Sequence, residues 1–305
     1  MKREGLLGHL SVAGAYTIFG LNLVFCKDIA NSDVLSPILL FTLRALGAAV
    51  LFWVLSLFLP KEPVARKDIG RIALASLAGL FIPQLTFLKA ITVSATIDAS
   101  VMHTLSPIFT MFFAFFFLKE PISWKKASGV AISFTGVILL IFNSFHAEGA
   151  VSKTEPAGFA LLILNSLSFA LYLGAFRKLI SRYSVVTFMK WTFLFSLLLS
   201  LPFSCRELLT ADYAAIPRPV VREIAFLIFF ATFVAYFLIP YGQKRIRPTL
   251  VSMYSYLQPI LATVISIAAG LDILTWQKLA AALLVFGGVV LVNRSKSASA
   301  EPKNE

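Results

Sequence analysis

The pentapeptide LSPIF at residues 105–109 aligns without a gap with LQPIL at residues 257–261 when the chain is shifted by 152 residues. The same shift continues far beyond the two prolines and brings together residues of identical type. The matched pairs are Ser100 with Ser252, Pro107 with Pro259, Trp124 with Trp276, Lys126 with Lys278, Phe134 with Phe286 and Gly136 with Gly288. A chance register would not align two tryptophans, so the sequence predicts two copies of one unit, near residues 1–149 and 150–305.

The composition excludes a water-soluble globule. Of the 305 residues, 58% are hydrophobic and only 14% are charged, whereas about a quarter of the residues in soluble domains are charged. A membrane-spanning helix needs about 20 apolar residues. The length therefore fits a bundle of ten such helices with short connections.

Apolar runs bounded by charged residues, proline or glycine mark ten predicted spans. They lie near residues 7–26, 36–59, 72–91, 95–118, 127–143, 157–176, 184–205, 222–241, 248–270 and 275–293. The first run could be confused with a secretory signal, but it contains Tyr16, Thr17 and Asn22 and lacks a small-residue cleavage site. We therefore expect it to remain as a helix.

The distribution of basic residues predicts the orientation of these spans. The chain has a net charge of +12 and contains 27 Lys and Arg residues. With the N-terminus inside, 18 of them fall on the inner side and seven on the outer side, while Arg44 and Lys190 lie within spans. Cytoplasmic loops are enriched in basic residues, so we expect a multi-pass protein of the inner (plasma) membrane with both termini in the cytoplasm. No separate basic domain is left to bind nucleic acid.

Each predicted unit has five spans, and an odd number places the second unit upside down relative to the first. The sequence thus predicts an all-α integral membrane protein of ten transmembrane helices, arranged as two inverted five-helix repeats. Inverted repeats are the plan of many secondary transporters, which bind substrate near the bilayer midplane and alternate by rocking. A duplication with a purely structural role is the alternative.

Three stretches resemble the EamA-type drug/metabolite transporter superfamily. They are ASVMHTLSPIFTMFFAFFFLKEPISWKKASGVAISFTGVILL at 99–140, RPTLVSMYSYLQPILATVISIAAGLDILTWQKLAAALLVFGGVVLVNR at 247–294, and LRALGAAVLF at 43–52. The resemblance covers nearly the whole chain. The usual Gly-Glu of the family is Lys119-Glu120 in the first unit and Gly270-Leu271-Asp272 in the second. The resemblance implies transport, in a family that exports amino acids and related metabolites, and does not fix the substrate.

Polar side chains at membrane depth are the candidates for a substrate pathway, because they are expensive in lipid unless they face a cavity or a partner helix. His103 lies about 13 Å into the fourth span, near the midplane of a core about 30 Å thick. The predicted pathway residues are Tyr16, Gln84, Ser100, His103, Asn165, Ser168, Tyr172, Tyr254, Ser255 and Gln258. For each, hydrogen bonding or packing within the helix bundle is the alternative interpretation.

Prolines and one arginine complete the candidates. Pro83, Pro107, Pro240 and Pro259 are predicted to bend helices and so to contribute to gating, although proline is tolerated in spanning helices generally. Arg44 resembles the arginine that the family has at this position. It could pair with Asp33 or Asp98, or attract an anionic group, and we favour a structural ion pair with Asp98.

No Asp or Glu occupies the middle of a predicted span. Small multidrug exporters of the superfamily use an embedded glutamate, so export of polyaromatic cations is disfavoured. His103 is the midplane group that can titrate near neutral pH, and proton coupling, if present, would involve it. Facilitated exchange is the alternative.

The sequence thus predicts a carrier, and an exporter of small neutral or zwitterionic metabolites in particular. The alternatives are a carrier of an anionic metabolite, a purine or a drug, and a scaffold or sensor that transports nothing. Three scattered histidines and the lack of a catalytic constellation disfavour an enzyme, and no cofactor or metal is expected. The expected partners are a small-molecule substrate and the lipid bilayer, with either a monomer or a homodimer. A disulfide between Cys26 and Cys205 is conceivable but unsupported.

Overall fold

The computed structural model describes residues 3–103, 105–118, 123–146, 153–246, 251, 254, 257–270 and 272–294. Throughout this described part, the regular secondary structure is helical. The helices are α1 (Arg3–Ser32), α2 (Pro37–Leu57), α3 (Arg66–Thr92), α4 (Thr96–His103), α5 (Ser106–Leu118), α6 (Trp124–His146), α7 (Pro156–Ala175), α8 (Arg177–Arg182), α9 (Val185–Thr210), α10 (Arg218–Gln243), α11 (Leu257–Ala268) and α12 (Trp276–Arg294). The predicted all-α class is confirmed.

Six helices of the described part are long and apolar enough to cross a membrane: α1, α2, α3, α7, α9 and α10. Each of the other four predicted spans also contains helix within its described residues, namely α4 with α5, α6, α11 and α12. Ten crossings and the inverted arrangement of the two units stay predictions.

Local sequence explains where the helices begin. The Ser36 side chain accepts a hydrogen bond from the Leu39 amide and caps α2, and Pro37 occupies the first turn. The Ser184 side chain caps α9 in the same way, accepting from the Thr187 amide. Serine and proline are favoured at these positions, because the side chain satisfies a free amide and proline has none to lose.

Two long helices contain π-helical segments, in which the backbone hydrogen bonds span five residues. The segment in α3 is Leu77–Phe81 and the segment in α10 is Leu227–Val234. A shift of 152 residues moves the first onto residues 229–233, inside the second. Such segments bend helices and are frequent at functional sites. The two units therefore carry the same backbone irregularity at the same place.

Small residues bring α6 and α12 into close contact. A Cβ atom added to Gly288 would overlap the Gly129 carbonyl and the Ser133 side chain. The Ser133 hydroxyl donates to the Val285 carbonyl, which lies 152 residues further along the chain, at a distance of 3.1 Å. The small residues at 129–133 and Gly288 thus pack against each other within one chain.

Candidate functional site

A cavity of about 100 Å³ lies among α1, α2, α3, α4, α5, α7, α10 and α11. Seven predicted candidates line it: Tyr16, Arg44, Pro83, Gln84, His103, Asn165 and Gln258. Eight lining residues were not predicted: Phe19, Asn22, Phe87, Ser106, Thr110, Phe169, Leu173 and Tyr236. A single water occupies about 10–15 Å³ on this measure, so the cavity has room for a small solute.

A second cavity, of about 410 Å³, continues from the first towards one end of the helix bundle. The two cavities share Tyr16, Thr110 and Leu173. The second is also lined by Arg177, Ile180, Ser181, Gln243, Lys244 and Val251. Arg177 is the first residue of α8, two residues after the end of α7, so the cavities lead to the end of the bundle that we call the basic end.

Polar atoms inside the first cavity have no hydrogen-bond partner in the described part of the chain. Both amide atoms of Gln84 are buried and unbonded, and so is Nε2 of His103. The Gln84 amide faces the Tyr236 hydroxyl without reaching hydrogen-bond geometry. The Phe87 ring covers His103 at a centroid distance of 5.2 Å. Buried polar groups are normally bonded, so these atoms are suited to bind a polar ligand.

The α3 backbone places Gln84. Pro83 and Gln84 lie two and three residues after Phe81, the last residue of the π-helical segment. The Asn165 side-chain amide donates to the Pro83 carbonyl at 2.6 Å. Asn165 therefore fixes the wall of the cavity rather than presenting a free donor, and Gln84 is left to face the interior.

Arg44 is the charged residue of the first cavity's lining, and it is only 3% exposed. Its Nε donates to the Thr232 hydroxyl at 2.9 Å, and its Nη1 donates to the Cys26 sulfur at 3.7 Å. The predicted ion pair with Asp98 is replaced in the structure, where Asp98 pairs with Lys278 at 3.6 Å. Asp98 lies in the first turn of α4, within reach of Lys278, whereas the Arg44 guanidinium is turned to Thr232 and Cys26.

Four other predicted pathway residues are absent from the lining of the cavity. The Ser100 hydroxyl donates to the Ile97 carbonyl and the Ser168 hydroxyl to the Ala78 carbonyl. The Tyr172 ring packs so closely against Gly79 that a Cβ atom there would overlap it, and the Tyr254 hydroxyl lies 2.9 Å from His9 Nδ1. These contacts match the alternative of bonding and packing within the bundle. Ser255 lies outside the described residues.

The prolines lie at helix starts and within a helix. The helix of the fourth predicted span ends at His103 and resumes at Ser106, directly before Pro107. Pro259 occupies the first turn of α11, and Pro240 is buried inside α10, where its carbonyl accepts from the Lys244 amide at 3.2 Å. Of the four, Pro83 lines the cavity, and a gating role for any of them stays a prediction.

Ser106 and Thr110 were not among the predicted residues, although helical spacing indicates them. They lie three and seven residues after His103, so all three share one helix face, and all three line the cavity. The internal repeat also indicates residues of the cavity lining. The shift of 152 residues pairs Gln84 with Tyr236 and Ser106 with Gln258, and all four line the cavity.

At the other end of the bundle, a charged cluster joins the two units, and we call it the Lys278 cluster. It consists of Asp98, Thr154, Asp272 and Lys278. The Lys278 Nζ lies 2.9 Å from Asp272 and 3.6 Å from Asp98. The Thr154 hydroxyl donates to Asp98 at 2.6 Å, and the Ile97 amide donates to Asp272 at 2.9 Å. The cluster therefore connects α4 with the segments before α7 and α12.

At the basic end, polar contacts also join separate segments, and they are more exposed than those of the Lys278 cluster. The Ser184 amide donates to both carboxylate oxygens of Glu62, at 3.1 and 3.0 Å, and Lys244 Nζ donates to the Tyr183 carbonyl at 2.6 Å. Burial lowers the pKa of Lys244, and Glu62 partly offsets that effect. The loop before α3 is thereby attached to the start of α9.

The described residues contain no group of three or more His, Cys, Asp or Glu side chains placed to hold a metal ion. Cys26 is buried and Cys205 is exposed, and both are free thiols in the structure.

Comparison with known proteins places these observations in a family. The model of the EamA-like transporter family matches residues 6–142 and 156–294. The uncharacterized transporter YetK of Bacillus subtilis is 24% identical, with 100% of this chain and 92% of that protein covered. The uncharacterized inner membrane transporter YicL of Salmonella typhimurium is 23% identical, with 94% and 95% covered. A solved crystal structure shares the fold, with a TM-score of 0.66 at 16% identity over 93% of this chain and 95% of that one.

Proposed function

We propose, since the chain belongs to the EamA-like transporter family, that it is a secondary carrier that exports a small metabolite by alternating access. The substrate class is that of amino acids and related neutral or zwitterionic solutes. The binding site is the first cavity, near the midplane between the two units. The proposal includes ten spans in two inverted repeats, the plan of many secondary transporters, with both termini in the cytoplasm.

One observation carries the proposal: unbonded, buried polar atoms line a cavity that leads to one end of the bundle. Gln84 and His103 supply these atoms. A scaffold or sensor would gain nothing from leaving them unbonded, because each such group costs about 1–3 kcal/mol. The fourth and ninth predicted spans contribute Ser106, Thr110 and Gln258 to the lining, rather than bulky side chains that would fill the cavity.

The proposed conformation faces the cytoplasm. The basic end carries Arg177 and Lys244, which the charge distribution places inside. The Lys278 cluster would then close the outer side. Alternating access requires that this cluster separates while the contacts at the basic end tighten.

The test is flux in liposomes. Purified protein is expected to accelerate the flux of an amino acid or similar solute, and His103→Ala and Gln258→Ala should reduce it at least tenfold without lowering thermal stability. Thr135→Ala is the control, because Thr135 is an exposed polar residue of α6 outside the lining of the cavity. Flux that is unchanged in both cavity variants would refute the site, and no flux of any metabolite tested would refute the carrier.

A further inference from the structure

We propose that the substrate carries a carboxylate and that Arg44 binds it. This inference rests on the proposed function and assigns as substrates small organic acids, both anionic acids and zwitterionic amino acids, whose carboxylate meets one buried guanidinium. It also excludes solutes whose only charged group is a cation.

Arg44 lies well inside the helix bundle. It is the eighth residue of α2, and at 1.5 Å per residue it lies about 10 Å into the helix. Its side chain lines the cavity and is 3% exposed. The guanidinium is a cation with five N–H donors, so a positive charge lies inside the cavity wall.

The Arg44 guanidinium has no counter-ion among the described residues. None of the ion pairs among the described residues involves Arg44, and its hydrogen bonds go to a hydroxyl and a thiol. No Asp or Glu among the residues that the structure describes lines the first cavity. A buried charge is costly unless it is paired, and a carboxylate on the substrate would supply the missing pair.

Hydrogen bonds fix the orientation of the guanidinium. The Thr232 hydroxyl accepts from Nε and itself donates to the Leu227 carbonyl at 2.7 Å, inside the π-helical segment of α10. The Nε and one Nη1 proton are thus engaged, and three of the five donors of the side chain are left. Arginine binds carboxylates through two parallel hydrogen bonds, which three free donors permit.

The rest of the lining fits the remainder of such a solute. Gln84 and His103 offer unbonded polar atoms. Phe19, Phe87, Phe169 and Tyr236 provide aromatic walls. The combination of one cation, neutral polar groups and aromatic surface suits an acid with an apolar body. A polyamine or another pure cation would meet an uncompensated positive charge.

The experiment compares matched ligands. Phenylalanine, 3-phenylpropanoate, phenylalaninamide and phenethylamine differ in whether they carry a carboxylate, an ammonium or both. Binding to the purified wild-type protein is measured by thermal shift and flux by counterflow in liposomes. We expect the two carboxylates to bind roughly 10- to 100-fold more tightly than the two solutes without one, which is the range for hydrogen bonds to a charged group.

The variants assign the preference to Arg44. Arg44→Gln is expected to remove the preference for carboxylates, and Arg44→Lys to retain part of it, because a lysine keeps the charge without the planar fork. Lys190→Gln is the control, since Lys190 lies over the Trp53 ring at 4.8 Å and outside the lining of the cavity. Should Arg44→Gln fail to fold, Thr232→Val tests the same idea by releasing the guanidinium, with a smaller expected loss of carboxylate affinity.

Two results would overturn the inference. One is a wild-type protein that binds neither carboxylate more tightly than its counterpart without one. The other is an Arg44→Gln protein, or its Thr232→Val substitute, that keeps the preference in full. Failure of the proposed function is distinguishable, because it would show as carboxylate binding by thermal shift without flux of any of the four solutes.

Discussion

The Lys278 cluster and the cavity both contain buried polar groups, but these groups bond to each other in the cluster, whereas some of them have unbonded atoms in the cavity. In the cluster, one ammonium contacts two carboxylates that are 1% and 2% exposed, and a threonine and a backbone amide add further bonds. In the cavity, Gln84 and His103 have unbonded polar atoms, and Arg44 makes bonds to neutral groups.

The contrast indicates which polar groups stabilise the helix packing and which are suited to bind a ligand. Bonded polar groups in a low-dielectric interior fix one arrangement of the helices, whereas unbonded ones reduce stability until a ligand meets them. Removing a group from the Lys278 cluster should therefore lower stability, and removing one from the cavity should lower activity.

Lys278→Met should cause the largest loss of stability. The substitution removes the ammonium that Asp98 and Asp272 both contact, and breaking a buried ion pair from one side costs about 3–5 kcal/mol. Thermal unfolding in detergent measures the change. Lys89→Met is the control, because Lys89 is exposed at the end of α3. Equal stability of the two variants would show that the cluster contributes nothing to the fold.

Variants of two amide side chains in the cavity wall should differ in stability when their thermal unfolding is compared. Asn165→Leu removes the hydrogen bond to the Pro83 carbonyl and should lower stability by about 1–3 kcal/mol. Gln84→Leu removes an unbonded amide, so stability should stay the same or rise while flux falls. A large loss of stability in Gln84→Leu would mean that the amide is a structural group and would weaken the assignment of the cavity.

Much of the fold is predictable from the sequence alone, for a physical reason. Apolar length fixes where helices form, and helix is present in the described part of all ten predicted stretches. The repeat also carries information about the site, because Tyr236 is the counterpart of Gln84 and both residues line the cavity. A duplicated unit folds its counterpart residues into comparable positions.

Other parts of the site were beyond the reach of residue types alone. Ser100 and Ser168 are as polar as Ser106, but they bond to carbonyl groups of the helix bundle. Ser100 and Ser106 both lie three residues from His103, so helical spacing does not tell which of the two serines lines the cavity. The partners of Asp98 were equally hidden, because they come from segments 56 and about 180 residues away.

The smallest expected effect is at the basic end, where polar contacts are half-exposed. Partial burial acts to raise the pKa of Glu62, but hydrogen bonds from Ser184 and Thr187, together with Lys244, outweigh it and hold the pKa below its ordinary value of 4.5. A carboxyl with a lowered pKa contributes stability above the pKa of the unfolded chain, and the contribution disappears as the pH falls through the folded pKa. Because Glu62 is only partly buried, we expect Glu62→Gln to reduce stability at pH 7 by less than about 1 kcal/mol. Unfolding of both proteins between pH 7 and pH 3 should bring their stabilities together at the acid end, and a difference that grows on acidification would contradict the role assigned to this carboxylate.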